Sequence, residues 1–243
     1  MKLKIILISL SLCLLLFAGY WGCVDVSSSG PGIPNPISDF RFIYSDPALP
    51  TVTISIAEGP GSTAYSDLSA GTFGTATAYT RYLAGVKNLF LKVSGAPVDP
   101  DTAVLSFSAD ERGTVIVVPR DSVAKIRFIK LSDRYVFAAP GKSDTTLIRF
   151  LNVNASRDTV DVVQFKSSSP SRTVVVDNLR FGKVSSFLKV AKDTTVSFYV
   201  TKYNSTVASG TDTITVTGAS NTQYTVIAND SLSRVGFKLF QDN

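Results

Sequence analysis

Phe40-Arg41-Phe42-Ile43 and Ile148-Arg149-Phe150-Leu151 stand 108 residues apart and read as one short strand written twice. Further blocks keep the same order. Thr51-Val52-Thr53-Ile54 matches Thr159-Val160-Asp161-Val162, and Phe73-Gly74-Thr75-Ala76-Thr77-Ala78-Tyr79 matches Phe181-Gly182-Lys183-Val184-Ser185-Ser186-Phe187, both at that spacing. Residues 121–128 match residues 230–237 at 109, the drift that one inserted loop residue produces. Four ordered blocks at one spacing imply two copies of a domain of about 100 residues.

Within each copy the side-chain period is two. Val52, Ile54 and Ile56 alternate with Thr51, Thr53 and Ser55; Val196, Phe198 and Val200 with Thr195, Ser197 and Tyr199. Ile214 and Val216 alternate with Thr213, Thr215 and Thr217, and Val235, Phe237 and Leu239 with Arg234, Gly236 and Lys238. Strict alternation predicts strands with one face on a core and one in water. The apolar runs 115–118 and 174–176 read instead as strands buried on both faces. Turn signals such as Asp46-Pro47, Glu58-Gly59-Pro60-Gly61, Asp99-Pro100-Asp101 and Ser209-Gly210 punctuate these runs. No stretch after residue 22 carries a helical period. The expected fold is all-β, with two tandem antiparallel β-sandwich domains, immunoglobulin-like or prealbumin-like, over residues 38–132 and 147–243. A linker over 133–146 joins them, where Ala139-Pro140-Gly141-Lys142-Ser143-Asp144 breaks any strand.

The first 22 residues read as an export signal. Lys2 and Lys4 form a positive start, and residues 5–18 are almost wholly apolar, a run short for a membrane span. Residues 23–37 follow as a Ser-, Gly- and Pro-rich tether with no apolar face to bury. Cys23 stands at the junction, where bacterial lipoproteins carry the acylated cysteine. Gly22 suits that motif; Tyr20 and Trp21 depart from its usual Leu and small residue. Cys13 lies in the leader, so the mature chain keeps one thiol and forms no internal disulfide, and lipidation would remove that thiol. Two or more acyl chains anchor stably where one is marginal. The expected location is therefore a membrane, on the periplasmic or the cell-surface side of the outer membrane.

Without Lys2 and Lys4 the chain keeps 22 basic and 19 acidic residues. That mild excess forms no basic stripe with interleaved aromatics, which argues against a nucleic-acid partner.

The segment from Ile148-Arg149-Phe150-Leu151-Asn152 through Val160-Asp161-Val162 to Phe181-Gly182-Lys183-Val184-Ser185-Ser186-Phe187 resembles the family known as domain of unknown function 4397. That family opens on an Arg-Val-Arg-Phe-like strand, continues through an Asn-x-Ser-Pro-Asp-like turn to a Val-Asp-Val strand, and later carries Phe-Gly-x-Val-Ser-x-Tyr. The first copy keeps the turn as Ser45-Asp46-Pro47-Ala48-Leu49-Pro50 but has Thr53 in place of the strand Asp; the second keeps Asp161 but reads Asn154-Ala155-Ser156-Arg157-Asp158 at the turn. The resemblance covers nearly all of residues 38–243. It implies an exported bacterial envelope domain, frequently a lipoprotein, with no catalytic residues to carry over.

The chain has no histidine, which removes the usual base of a Ser or Cys nucleophile and the commonest zinc ligand. Ser122 with Lys125 and Ser186 with Lys189 match Ser-x-x-Lys, but on a strand residues three apart point to opposite faces. Gly141-Lys142-Ser143 lacks the earlier glycine of a phosphate loop, since position 136 is Val136. Asp99 with Asp101 and Asp110 with Glu111 are the nearest carboxylate pairs, set in turn-like sequence where a weak calcium site is the only metal chemistry to consider. No cofactor is expected. Asn154-Ala155-Ser156 and Asn204-Ser205-Thr206 fit a glycosylation pattern that a Ser/Thr-rich chain produces by chance. The best ligand candidates are Tyr65, Tyr79, Arg81 and Tyr82, because exposed tyrosines stack on sugars and partner surfaces; against this, Tyr79 aligns with Phe187 and fits a core position. The expected function is a non-enzymatic envelope lipoprotein that acts as a binding, adhesion or scaffolding module. The alternatives are a glycan-binding module of a polysaccharide-uptake system and, more remotely, a hydrolase.

Overall fold

Runs with β-branched and aromatic side chains at every second position suit a pleated surface, and they form strands here. The computed structural model describes residues 36–49, 51–59, 66–93, 101–119, 128–133, 144–154, 159–166, 169–205, 213–231 and 234–242. Among these the first half contributes β1 (Ile37–Tyr44), β2 (Val52–Glu58), β3 (Ser66–Gly71), β4 (Thr80–Leu83), β5 (Gly85–Val93), β6 (Asp101–Phe107), β7 (Arg112–Val117) and β8 (Phe128–Ser132). The second contributes β9 (Thr145–Val153), β10 (Thr159–Lys166), β11 (Ser169–Arg180), β12 (Leu188–Ala191), β13 (Thr195–Lys202), β14 (Ile214–Thr217), β15 (Thr222–Ser231) and β16 (Arg234–Gln241). No described residue is helical.

Each half forms two four-stranded sheets. Their orders are β4-β1-β7-β8 and β3-β2-β5-β6 in the first half, β12-β9-β15-β16 and β11-β10-β13-β14 in the second. Adding eight to each label of the first half reproduces the second, so the sequence repeat is also a repeat of topology. Register repeats as well: Phe40 faces Thr80 as Ile148 faces Leu188, and Ile43 bridges Ala76 as Leu151 bridges Val184. The chain from Pro36 onward forms one compact unit.

Pairing departs from the all-antiparallel expectation at one place in each half. β1 runs parallel to β7, and β9 runs parallel to β15. The opening strand lies in the interior of its sheet. The chain reaches its second neighbour only after crossing through the other sheet, a connection long enough for parallel pairing.

Alternation places the cores. Phe40, Phe42, Val52, Ile54, Leu89, Leu91, Val115 and Val117 lie between the sheets of the first half. Ile148, Phe150, Val160, Val162, Val196, Phe198, Val200 and Val226 do so in the second. Phe150 and Phe198 meet edge to face with centroids 5.1 Å apart, a favoured aromatic geometry. In β14, Val216 is buried while Thr215 and Thr217 are exposed, as alternation predicts. The run 115–118 is buried on both faces, but Val174 is 53% exposed. The physical reason is that β11 is a bulged edge strand, so its outer side chains reach solvent. Leu239 shares the core-facing side with its neighbour Val226 yet overhangs the edge, whereas Phe240 on the opposite face is buried.

Two local devices hold this frame. In the turns Phe73-Gly74 and Phe181-Gly182 the glycines have φ of 80° and 72°, a region that carries no penalty without a Cβ. Their amides donate to Tyr44 O and Asn152 O, at 2.7 Å in both halves. The second device is an exchange of volume. A Cβ on Gly71 would stand 2.0 Å from the Tyr44 ring. At the matching positions the second half has Asn152 in β9 and Leu179 in β11, so a smaller residue in one sheet accompanies a larger one in the other.

Phe198 is fully buried, and Phe198→Asp is expected to cost more than about 4 kcal/mol by placing a charge in an apolar core. Loss of the cooperative thermal melt of the second half checks this; an unchanged melt would mean that the strand faces the other way.

Candidate functional site

The outer faces of β1 and β9 are not in water. Arg41 and Arg149 are only 6% and 5% exposed, because the sheets that hold them face each other across a third apolar cluster. Ile43, Ile116, Val118 and Leu131 enter it from the first half, and Leu151, Val153, Ile227 and Phe240 from the second. Each such side chain contributes roughly 1.5–3 kcal/mol when fully buried.

At one side of this cluster the arginines pair crosswise. Arg41 Nη2 donates to Asp242 Oδ1 at 2.6 Å, and its Nη1 donates to Gln241 O. Arg149 Nη2 donates to Asp133 Oδ1, and its Nη1 to Ser132 O at 2.7 Å. Each guanidinium therefore bonds the end of the last strand of the other half. Within its own half, Arg41 Nε donates to Thr114 Oγ1 at 2.9 Å and Arg149 Nε to Thr225 Oγ1 at 2.8 Å. The two threonines donate in turn to Asp133 and Asp242. Each half supplies the same three groups in the same roles, the self-complementary pattern of a two-fold interface.

Tyr79 and Phe187 complete the cluster. The Arg149 Cζ lies 5.3 Å from the Phe187 ring centroid, and the Arg41 and Arg112 carbons lie 4.9 Å and 3.9 Å from that of Tyr79. The Tyr79 hydroxyl donates to Asp133 Oδ2 at 2.9 Å and lies 3.1 Å from Asp242 O. Burial, reinforced by the Asp133 charge, pushes the Tyr79 phenol up to about 12. Burial and then the same neighbour raise Asp242 above the usual carboxylate range, against the pull of Arg149. The Phe-Gly turns lie at the rim: Lys238 of the second half sits 5.7 Å from the Phe73 ring, and Phe181 packs on the shared cluster with Ile129.

The structure does not gather the tyrosine and arginine ligand candidates into one surface. Tyr79 lies in the cluster between the halves. Tyr82 packs edge-on against Phe42 and Phe107, with centroids 6.3 Å and 6.0 Å away. Arg81 points outward, 3.7 Å from Asp39 with a 70% exposed side chain. Glu111 accepts from Ser108 N and from Lys130 Nζ, so it closes a turn, and its neighbour Asp110 is left-handed. Asp161, the strand acid of the second copy, is buried and accepts the amides of Asn178 and Asn204, both at positive φ. Ser186 and Lys189 are exposed. Cys23 with the leader and tether, Tyr65, the Ser122–Lys125 pair, Asp99, the Asp101 side chain and Gly141-Lys142-Ser143 fall outside the described residues. Among the described residues, no three His, Cys, Asp or Glu side chains gather where they could hold a metal.

The sequence marks Arg41 and Arg149 as strand residues, and alternation alone misses their partners. A signal for those partners is present: Asp133 and Asp242 stand 109 residues apart, continuing the last repeated block to its end.

No family model matches the chain, and no curated protein does. Three solved structures show a remote likeness. A carbohydrate-binding module of Eubacterium rectale Amy13K, solved with maltoheptaose, has a TM-score of 0.28 at 11% identity, over 84% of this chain and 96% of that one. The Bacillus anthracis TIE protein has 0.26 at 10%, over 81% and 34%. A leucine-rich repeat protein of Bacteroides thetaiotaomicron has 0.21 at 12%, over 83% and 26%. The chain thus spans about a third of the TIE protein and a quarter of the repeat protein. Scores this low carry no argument about activity.

Two outcomes follow from the cluster between the halves. Asn229 is fully buried on its apolar face, and neither amide atom has a partner among the described residues; the matching position of the first half is Val118. Asn229→Val is expected to stabilise the chain by about 1–2 kcal/mol, because an unpaired buried polar group is removed, and denaturant titration measures the shift. The native Tyr79 phenol keeps its proton to about 12, while an unfolded tyrosine loses it near 10. Stability contributed below pH ~10 is therefore lost as pH rises toward ~12. Over that window the wild type should lose stability more steeply than Tyr79→Phe, as read by urea melts at stepped pH.

Proposed function

We propose that this chain is a non-enzymatic cell-envelope lipoprotein that serves as a binding, adhesion or scaffolding module. The observation that carries this reading is the lock between the halves. The residues that the two copies share most clearly, Arg41 and Arg149, Tyr79 and Phe187 and the Phe-Gly turns, are used to join one half to the other. Two sandwiches joined in this way form a stiff body that presents its remaining loops and clefts to a partner. The leader, Cys23 at its junction and the resemblance to the domain of unknown function 4397 family support export and anchoring on the periplasmic or cell-surface side of an outer membrane.

A second reading, a glycan-binding surface module of a polysaccharide-uptake system, is favoured by a polar recess in the second half, lined by Arg180, Lys183, Asn178 and Ser186.

Cys23→Ala is expected to release the protein from the membrane fraction and to abolish incorporation of labelled fatty acid. Intact mass of the wild type should show a chain that begins at Cys23 and carries acyl groups. Retention of Cys23→Ala in the membrane would assign anchoring to another segment.

A further inference from the structure

In each half the passage from β3 to β4, or from β11 to β12, leaves a recess beside the Phe-Gly turn, of about 450 Å³ in the first half and 430 Å³ in the second. Both lie within the range of small-ligand sites, roughly 300–1,000 Å³. The turn at each recess has the same backbone closure: Thr75 N donates to Thr72 O at 3.1 Å, and Lys183 N to Arg180 O at 3.0 Å. The side chains differ. Thr75 Oγ1 donates to Thr72 O at 2.6 Å and accepts from Thr72 N, so that hydroxyl serves the turn itself. In the second half the same two positions are Arg180 and Lys183, and neither side chain has an ion-pair or hydrogen-bond partner among the described residues. A β-turn brings its end Cα atoms to within about 7 Å, so two cations flank one opening.

The recess holds more than charge. Asn178 and Ser186 present side chains without partners among the described residues, and Val184 is 40% exposed. Asn178 is held at φ 55° with its amide fixed by the buried Asp161 carboxylate. Asn adopts that left-handed conformation readily, which fixes its side chain at the mouth of the recess. Asp177 is the one acid among the described residues that line the recess, which leaves the cations in excess.

We propose that this recess binds an acidic saccharide, with Arg180 and Lys183 on a carboxylate or phosphate and Asn178, Ser186 and Asp177 on ring hydroxyls. A lone phosphate would leave most of the volume empty, which favours a sugar ring that carries the anion. The inference rests on the binding-module reading and gives its ligand class.

The test titrates detergent-solubilised full-length protein with hexagalacturonate, mannose 6-phosphate and maltohexaose by calorimetry. Binding of either acidic probe and not of maltohexaose is expected, and which of the two binds identifies the anion. Arg180→Gln with Lys183→Gln should weaken it at least about tenfold, the loss of a charge-assisted contact, while Lys92→Gln in the first half leaves it unchanged. No binding of either acid, equal binding of maltohexaose, or an equal loss in Lys92→Gln overturns the proposal. Because the measurement needs no membrane, a failed fractionation result for Cys23 would refute the anchoring and leave this result standing, and the converse holds.

Discussion

The crosswise pairing of Arg41 with Asp242 and of Arg149 with Asp133 is the constraint on which the rest of the fold depends. Each arginine is buried on the outer face of a central strand and finds its nearer carboxylate in the other half, Arg149 also reaching Asp242 of its own half at 3.4 Å. Removing one partner while the halves stay together would leave a desolvated charge unpaired, a loss of about 3–5 kcal/mol when a buried pair is broken. Two such pairs related by the repeat specify the relative orientation of the halves as well as their contact. The apolar cluster beside them supplies the area, and the ion pairs select one way of covering it.

That constraint explains which residues the copies hold in common. Arg41 and Arg149, Thr114 and Thr225, Asp133 and Asp242, and Tyr79 and Phe187 occupy matched places in one joint. The copies also share core positions within each half, such as Phe42 with Phe150 and Val52 with Val160, and differ at others. Tyr44 over Gly71 has its counterpart in Asn152 beside Leu179, a change tolerated because volume moves between the two sheets of a half. The turn closed by the Thr75 hydroxyl in one half carries two exposed cations in the other.

The joint is also imperfect in a physically informative way. Asn229 takes the place of Val118 within it and has no hydrogen-bond partner for its amide among the described residues. Gln223 stands where Arg112 stacks on Tyr79 in the first half, and instead donates to Asp242 at 3.2 Å. One half stacks a cation on a phenol, and the other supplies an extra donor to an already crowded carboxylate. Neither solution is complete, since Arg112 Nε and Gln223 Oε1 are buried without a hydrogen-bond partner among the described residues.

Much of this was legible in the amino-acid order. Period-two alternation identified Phe198, Val52 and Ile54 as core because side chains on a strand point to opposite faces in turn. The 108-residue spacing matched the strand order and register seen in both halves. What alternation cannot report is what covers a strand's second face. Arg41 and Ile43 read only as members of a repeated strand, and Tyr79 as a ligand candidate that also fits a core position, because the partners of Arg41 lie up to 201 residues away in sequence. Only the tertiary structure decided that the outer faces meet each other, since burial on that side depends on the approach of a separate sheet and not on any local pattern.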